Sequence, residues 1–454
     1  MSSSGPRASR DHGQAPQIAS APPRGSRPSK SGPPPPGTAS PEAEPAPAER
    51  HVELLLEPRE GLPPLVATNT DLAAATAALA RGAGPVAVDA ERASGFRYGQ
   101  RAFLVQFRRA GAGTVLIDPV ACPDLSALDA ALAGTEAVLH AASQDLACLA
   151  ELGYRPRQLF DTEVAGRLLG CPRVGLASMV ESMLGFGLEK SHSAADWSTR
   201  PLPVEWLRYA ALDVEVLIEL RDVLADLLTE EGKIEWAVQE FAAVLAAEPH
   251  PPRSDPWRRT SGIHRVRNRR GLAVVRELWL ERDRIAQHRD VSPGRVLPDS
   301  AIIEAARMIP GEPAELTAIP GFTGRTARRH QADWLRAVGR ARALAERGLP
   351  PASAPPGEGP PPAHRWADRD PEAARRLVAV RAVVAALADS HHLPAENVLP
   401  PDCVRRLAWQ PPAELSPAAV GAELAGYGAR PWQVELTTIP LSKALLRILE
   451  KGSE

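Results

Sequence analysis

The chain contains 454 residues, 44% of them hydrophobic, and has a net charge of −2. This length exceeds one typical hydrophobic core, so we expect two or three domains of a globular protein. The four cysteines are scattered, which argues against a disulfide framework or a zinc knuckle and fits a reducing cytosol. The sequence shows no signal-peptide pattern and no run of about 18 apolar residues. We therefore expect a cytoplasmic protein without membrane spans.

The first predicted elements are a tail and the strands of an α/β block. Residues 1–50 are rich in Pro, Ser, Ala and Gly and lack apolar periodicity, which predicts a disordered tail. The segment VELLLEP opens the folded part, and a helix is predicted over about 70–81 with Asp71 near its start. Strands are predicted in GPVAVDAE, AFLVQFRR and GTVLIDP, and the turn AGAG separates the last two.

The remainder of this block is predicted to be mostly helical. DLSALDAALAG predicts a helix, and EAVLHAA predicts a strand that leads directly into the helix SQDLACLAEL. Further helices are predicted around 160–170, 176–184, 203–230 and 233–247. Strands joined by hairpin-like turns and then a βα unit imply a mixed sheet covered by helices. We assign this block to residues 51–250.

Every segment after residue 264 is predicted to be helical. The stretch RELWLERDRIAQHRDVSPGRVLPDSAIIEAA resembles RAVVAALADSHHLPAENVLPPDCVRRLAW, and both are followed by a glycine-aromatic turn. This faint repeat predicts two related small helical domains, over 264–345 and 365–450. The Pro-rich segment between them, 349–364, is interpreted as a semi-rigid linker.

Four carboxylates in the α/β block are candidates for one site. Asp89 and Glu91 are two apart on a strand and therefore point to one face, and Asp145 lies in the first turn of the helix after the next strand. Tyr209 and Asp213 are four apart and share one helix face. Each residue alone also has an ordinary structural interpretation, such as a surface carboxylate or a helix-dipole charge.

The carboxylates as a set predict a metal site. Clustered like charges repel strongly in a partly dry environment unless a cation neutralises them. Ligands that are all oxygens favour Mg²⁺ or Mn²⁺ over zinc.

These residues resemble known motifs. VDAE, HAASQDLACL and YAALDV resemble the three motifs of DEDDy-type 3′–5′ exonucleases, and DWSTRPLPVEWLRYAALDV and FDTEVAGRLLG extend the similarity to the ribonuclease D family. The two helical repeats resemble HRDC domains, a C-terminal module of helicases and ribonuclease D. The resemblance implies an α/β RNase H-like exonuclease domain followed by two all-α HRDC-like domains.

The resemblance also implies a mechanism with two divalent ions about 4 Å apart. Asp89, Glu91 and Asp213 would bind one ion, and the other would be bound chiefly by Asp89, with Asp145 completing the site through water. Tyr209 would orient the attacking water, since a neutral phenol with a pKa of about 10 is suited to orienting rather than to abstracting a proton at pH 7. The expected product is a 5′ mononucleotide.

The sequence departs from the family pattern at two places. Ala90 stands where the family often has Thr, and its side chain is expected on the opposite face of the strand, so little chemical effect is expected. The segment KSHSAADW differs from the commoner forms, which leaves the substrate contacts near it open.

Several residues near the motifs are candidates for substrate binding. Gln106 lies on a strand near the first motif, and His140 ends the strand before Asp145; a structural role is the alternative for both. Lys190 and Arg200 flank Trp197 before the third motif and are candidates to bind backbone phosphate, whereas Trp197 is expected to pack in the core. Asp161 is predicted to cap the helix that begins near Thr162, which is a structural role.

Basic residues follow the acidic block. Residues 51–250 contain 16 Lys and Arg against 28 Asp and Glu, residues 251–350 contain 20 against 11, and residues 364–454 contain 11 of each. This asymmetry indicates nucleic-acid binding, with solvated surface charge as the alternative. Within RRTSGIHRVRNRR we expect RNA contacts from Arg267, Arg269 and Arg270. The segment PGFTGRTARR is a further candidate, whereas the second repeat is expected to pack on the first or on the α/β domain.

We therefore expect a metal-dependent 3′–5′ exoribonuclease, acting on RNA 3′ ends such as those of tRNA precursors. The protein is expected to be a monomer. A 3′–5′ DNA exonuclease of the Werner type shares the fold and is an alternative, as is a non-catalytic RNA-binding scaffold with a relic site. The intact acidic set argues against the scaffold.

Overall fold

The structure is a computed structural model that describes residues 53–189, 192, 194–248, 254–353 and 359–452. The predicted tail over 1–50 and Lys190 lie outside the described residues, as do residues 354–358 of the predicted linker. Within the described ranges, no helix combines the length and the apolar character needed to cross a membrane.

The α/β domain is built on a mixed sheet. Its strands and those of a small second sheet are β1 (Glu53–Leu55), β2 (Leu65–Val66), β3 (Ala83–Arg92), β4 (Ala102–Ala110), β5 (Gly113–Ile117), β6 (Glu136–Leu139), β7 (Gln158–Asp161) and β8 (Phe186–Leu188). The larger sheet has the order β2-β5-β4-β3-β6-β7, and β1 pairs with β8 separately. The β3–β4 and β4–β5 pairs are antiparallel and the other pairs are parallel, which confirms the predicted mixed sheet.

The helices of this domain cover both faces of the sheet. They are α1 (Asn69–Arg81), α2 (Ser126–Ala131), α3 (Leu146–Glu151), α4 (Thr162–Leu168), α5 (Leu176–Leu184), α6 (Val204–Glu215), α7 (Leu217–Glu230) and α8 (Ile234–Ala246). The prediction of one helix over 203–230 is wrong, because the chain leaves regular helical geometry at Val216. The apolar periodicity continues across this break, so the sequence pattern did not reveal it.

The long strands β3 and β4 form because β-branched and aromatic residues alternate there with small ones. Val86, Val88, Val105 and Phe107 are fully buried in the main core. Pairing shifts register at the Glu91–Arg92 step, where β4 carries one additional residue. Such a bulge locally interrupts the ladder and is common next to active sites.

The first helical domain follows the α/β domain. It contains α9 (Arg269–Arg289), α10 (Pro293–Val296), α11 (Asp299–Met308), α12 (Pro313–Thr317), α13 (Arg325–Arg329) and α14 (Gln331–Ala343). Its own core is centred on Trp334 and Phe322, both almost completely buried. The domain touches the α/β domain at residues 95–101: Ser292 donates its backbone N–H to Phe96 O at 2.9 Å, and Tyr98 donates its hydroxyl to Asp283 at 3.1 Å.

The second helical domain contains α15 (Trp366–Arg369), α16 (Pro371–His391), α17 (Ala395–Val398), α18 (Pro401–Trp409), α19 (Pro417–Gly426) and α20 (Pro431–Gly452). Its core is continuous with that of the α/β domain. The Trp432 ring stacks on Trp236 of α8 at 4.5 Å, and the Lys233 ammonium donates to Leu168 O and to His391 O, both at 2.9 Å. The second of the two packing alternatives, contact with the α/β domain, is therefore the one observed.

Candidate active site

The centre of the site is formed by β3 and α6, which pack directly on each other. Asp89 and Glu91 project from the same face of β3, near the end of the strand. Asp213 projects from α6, and carboxylate oxygens of these three residues lie within 4.8 Å of one another. Neighbouring residues of α6, among them Ala210 and Ala211, are fully buried, and their small side chains allow the helix to approach the sheet.

Asp145 lies at the start of α3, beside this cluster. The parallel strand β6 ends at Leu139, a short 3₁₀ turn follows over Ala142–Gln144, and Asp145 then takes the N-cap position. Its side chain makes no capping hydrogen bond, and its Oδ1 atom has no hydrogen-bond partner among the described residues. A buried carboxylate oxygen without a donor is costly, so this residue has a role other than capping.

The carboxyl groups share a strongly perturbed environment. Burial is the main cause: it raises the pKa of Asp89 and that of Asp213, and it raises the pKa of Glu91 to about 10 and that of Asp145 to about 8. The negative charge of neighbouring carboxylates adds to the shifts of Glu91, Asp145 and Asp213. Without a countercharge the cluster therefore retains protons at neutral pH.

A hard divalent cation fits this donor set. The carboxylate oxygens of the three clustered residues lie close enough to one another to bind the same ion. Asp145 offers a further oxygen that has no hydrogen-bond partner among the described residues. A cation would favour the charged carboxylates and so reverse the effect of burial.

Tyr209 lies one helical turn before Asp213 and lines the same cavity. Its hydroxyl lies near the Asp213 carboxylate, to which it is a potential hydrogen-bond donor. Burial, followed by the nearby charge of Asp213, raises the pKa of Tyr209 well above its usual range. A phenol with a raised pKa is neutral at physiological pH, which suits a hydrogen-bonding group rather than a base.

An open cavity of about 610 Å³ gives access to these residues. It is lined by Asp89, Glu91, Asp145, Tyr209 and Asp213, together with the α5 start around Leu176 and the 140–144 turn. A neighbouring cavity of about 300 Å³ shares Tyr209 and Asp213 with it. The structure thus brings together every member of the catalytic set that the sequence predicted.

Two predicted substrate residues lie close to the acidic cluster. His140 lines the larger cavity, accepts or donates one hydrogen bond with the Thr162 hydroxyl at 2.9 Å, and has a pKa lowered to about 4 by burial. Gln106 pairs with Asp89 across β3 and β4 but is fully buried and does not line the cavity. This placement favours the structural alternative for Gln106. His140, which is neutral and lines the cavity, remains a candidate for substrate contact.

Arg200 is placed away from the cavity. Its guanidinium donates to both carboxylate oxygens of Asp118 at 2.7 and 2.8 Å and to Phe103 O at 2.7 Å. These contacts fix the chain before α6 and favour a structural role. Trp197 is fully buried, as predicted, and Asp161 caps α4 by accepting hydrogen bonds from the Glu163 and Val164 N–H groups.

The three arginines of the 258–270 run that were predicted to contact RNA differ in their surroundings. Arg269 donates to Leu349 O at 2.7 Å, and Arg270 donates to Leu344 O at 2.6 Å and to Ala341 O at 2.9 Å. Both side chains thus satisfy carbonyl groups at the end of the first helical domain. Arg267 is exposed and remains a candidate for RNA contact.

Sequence reasoning missed two residues of the site. Arg92 lines the larger cavity, with its guanidinium 3.3 Å from Asp145 Oδ1. His192 lines the smaller cavity and lies edge-on to the Tyr209 ring at 5.8 Å. A cation directly after the carboxylate of the first motif was a usable signal for Arg92, whereas nothing local marks His192.

Comparison with known families agrees with this geometry. Residues 64–229 match a family model described as 3′–5′ exonuclease, residues 271–338 match the HRDC domain, and residues 359–445 match a 3′ to 5′ exonuclease C-terminal domain. The first helical domain is thus an HRDC domain. The second matches a family model of its own.

Curated relatives and solved structures cover most of the chain. Ribonuclease D of Gluconacetobacter diazotrophicus is 32% identical over 78% of this chain and 88% of its own length. A crystal structure of a protein from Bifidobacterium adolescentis is 38% identical, with a TM-score of 0.80, over 87% of this chain and 99% of that one. RNase D of Escherichia coli, described as an exoribonuclease involved in structured RNA processing, is 26% identical with a TM-score of 0.61, over 86% and 98% of the two chains.

Proposed function

The chain belongs to the ribonuclease D family and is a 3′–5′ exoribonuclease, and from this premise we propose that it trims the 3′ ends of structured RNA precursors, such as those of tRNA, with two divalent cations. The carboxylate cluster of Asp89, Glu91 and Asp213 carries the proposal. The structured RNA processing of the similar Escherichia coli enzyme supports the substrate class. We further propose that the protein acts as a cytoplasmic monomer.

Each residue of the cluster has a role in this proposal. Asp89, Glu91 and Asp213 would hold one Mg²⁺ or Mn²⁺ ion, and Asp89 with Asp145 would hold the other. When bound, the two ions supply a nucleophile at neutral pH and charge stabilisation of the leaving 3′ oxygen. The buried carboxyl groups would release protons on binding divalent cations, because a bound cation favours their charged forms.

Tyr209 orients the attacking water in this proposal. Its hydroxyl stays protonated because burial and the neighbouring carboxylates raise its pKa. If the Asp213 carboxylate holds a cation, this hydroxyl would be free to donate its hydrogen bond to a water molecule beside the scissile phosphate. The hydrolysis breaks the bond between phosphorus and the 3′ oxygen of the preceding nucleotide, and it releases a nucleoside 5′ monophosphate.

The proposed function is tested with RNA and DNA of the same sequence, each carrying a labelled phosphate on the 5′ side of its 3′-terminal nucleotide. The expected result is release of labelled mononucleotide from RNA with Mg²⁺ or Mn²⁺ and none with EDTA. Faster release from DNA would favour the Werner-type alternative, and release with no metal ion would contradict the metal requirement.

A matched variant distinguishes hydrolysis by this protein from hydrolysis by a contaminating nuclease. Asp213→Asn keeps the side-chain volume but removes the charge, so it is expected to abolish release while leaving the circular dichroism spectrum unchanged. A tRNA precursor compared with mature tRNA then tests the substrate class. Equal rates on both RNAs would contradict precursor trimming.

A further inference from the structure

Arg92 is placed at the junction of two cavities beside the catalytic cluster. It is the last residue of β3, immediately after Glu91 and at the step where the pairing with β4 shifts register. Its side chain lines the cavity of about 610 Å³ and a second one of about 230 Å³, which is bounded by the 94–96 loop and by Ala194 and Ala195. Ala90 and Glu91 also line both cavities, and Arg92 is the one cation among these three shared residues.

The Arg92 guanidinium has one ion-pair contact and no hydrogen bond among the described residues. Its Nη2 atom lies 3.3 Å from Asp145 Oδ1, yet the pair lacks hydrogen-bond geometry, since that oxygen has no hydrogen-bond partner among the described residues. Arg200 differs in this respect, because its guanidinium N–H groups donate hydrogen bonds to Asp118 and to backbone carbonyls. The N–H groups of Arg92 therefore remain available for a ligand.

The local charge balance makes this cation important. The described lining of the larger cavity contains the four catalytic carboxylates, Glu163 and Glu189, and Arg92 is its one permanently charged cation. A phosphodiester backbone that enters such a cavity is repelled unless cations offset the carboxylates. A planar guanidinium can bind a phosphate with two parallel hydrogen bonds, which suits this task.

We propose that Arg92 binds a backbone phosphate of the RNA 3′ end at the junction of the two cavities. On this view Arg92 leaves Asp145 when RNA and divalent cations enter, so Asp145 becomes free for its metal role. The inference rests on the proposed function of the same site. It goes further by adding a residue that contacts the substrate.

The first test compares Arg92→Gln with wild type in steady-state hydrolysis of an unstructured RNA. We expect KM to rise roughly tenfold, because a charge-assisted hydrogen bond is lost. The dependence of log KM on log salt should weaken by about 0.7, the value of one phosphate contact on a single strand. Arg157→Gln removes an equivalent charge at a surface ion pair with Asp129 and is the control with unchanged kinetics.

The second test locates the phosphate. RNAs with one neutral methylphosphonate linkage, moved stepwise from the 3′ end, are used as competitive inhibitors. A methylphosphonate at one particular linkage should weaken inhibition of the wild type relative to unmodified RNA. The same substitution should not weaken inhibition of Arg92→Gln. Arg92→Lys, which keeps the charge but lacks the planar fork, should give an intermediate KM, and it serves as the readout if Arg92→Gln fails to fold.

A third measurement distinguishes Arg92 from a residue that only holds Asp145 in position for the metal, whose loss would weaken Mn²⁺ binding. Mn²⁺ binding without RNA, followed by electron paramagnetic resonance, should be unchanged or tighter in Arg92→Gln. An unchanged KM and salt dependence, or additive effects at every linkage, would overturn the proposal for Arg92. Failure of the wild type to degrade RNA with any metal ion would instead overturn the proposed function.

Discussion

At the scale of single residues, the site combines groups whose charges are unfavourable without a ligand. Burial raises the pKa of Asp89, Glu91, Asp145 and Asp213, so the protein alone disfavours the charged forms that a metal ion requires. This arrangement makes cation binding, proton release and stability interdependent. The chemistry of the site can therefore be followed by unfolding as well as by activity.

The first residue-scale prediction concerns pH. Because the pKa of Glu91 is raised to about 10 and that of Asp145 to about 8, the folded state keeps protons that the unfolded state loses above about pH 5. Stability of the metal-free protein should therefore fall as the pH rises from 5 through 8 and on towards 10. Each ~1 kcal/mol lost would lower Tm by roughly 2–4 °C.

This pH dependence is measured by thermal unfolding in EDTA and in Mg²⁺. Mg²⁺ should raise Tm more at pH 8 than at pH 6, since fewer protons must be displaced. Glu91→Gln, which cannot ionise, should show a shallower pH dependence without metal. A Tm that rises with pH in EDTA would contradict the assigned cause of the shifts.

The second residue-scale prediction concerns Tyr209. Tyr209→Phe removes the hydroxyl and keeps the ring in its contacts with His192 and Trp197. We expect kcat to fall roughly 10- to 100-fold. This fall is smaller than the largest decreases in rate that follow removal of a general acid or base. Binding of RNA, measured by fluorescence anisotropy in EDTA, should be unchanged. An unaltered kcat would remove Tyr209 from the mechanism.

At the scale of elements, the arginines of the first helical domain have different roles. The side chains of Arg269 and Arg270 donate to backbone carbonyls. The side chains of Arg325, Arg328 and Arg329 on α13 are exposed and have no hydrogen-bond or ion-pair partner among the described residues. Exposed cations without protein partners are suited to phosphate. The position of a helix in the fold thus decides which arginines are free.

The element-scale prediction follows from this division. Arg328→Gln combined with Arg329→Gln should weaken binding of structured RNA severalfold and lower its salt dependence, because two phosphate contacts are removed. Turnover of a short oligonucleotide should not change. The matched control is Arg375→Gln combined with Arg381→Gln, two exposed arginines of α16. Equal loss in both double variants would indicate a general charge effect instead of an α13 surface.

At the scale of the whole molecule, the second helical domain is part of the core and not a loosely tethered module. Trp432 stacks on Trp236 and donates its indole N–H to Glu240 at 3.0 Å, and Lys233 bridges to the end of α16. Deletion of this domain would expose apolar surface of α8. A full-length interface variant is therefore a sharper test of its role than a truncation.

The whole-molecule prediction uses Trp432→Ala. Loss of the stacked ring should destabilise the protein by about 3 kcal/mol, as for other large-to-small changes in a core. Hydrolysis of a short RNA should keep its kcat within about threefold at a temperature where the variant is folded, because the ring does not line the catalytic cavities. Loss of kcat in a folded variant would show that the domain acts on the chemistry.

Much of the fold was predictable from local patterns. The strands β3 to β6 and the helices α1, α5 and α8 follow from their own periodicity, and the structure confirms them. The short strands β2, β7 and β8 were missed because two to four residues carry too little pattern. Their pairing depends on partners far away in the chain, such as β1 with β8.

The sequence was enough to predict one site for Asp89, Glu91, Asp145, Tyr209 and Asp213, because Asp89 and Glu91 share a strand face, Tyr209 and Asp213 share a helix face, and the three motifs resemble those of one family. Only the tertiary structure decided which other charges belong to the site. Arg92 and Arg200 are both arginines near a motif, yet one faces the cavity and the other is bound to Asp118. The physical reason is that hydrogen-bond partners distant in sequence, which only folding brings together, determine where a long charged side chain ends.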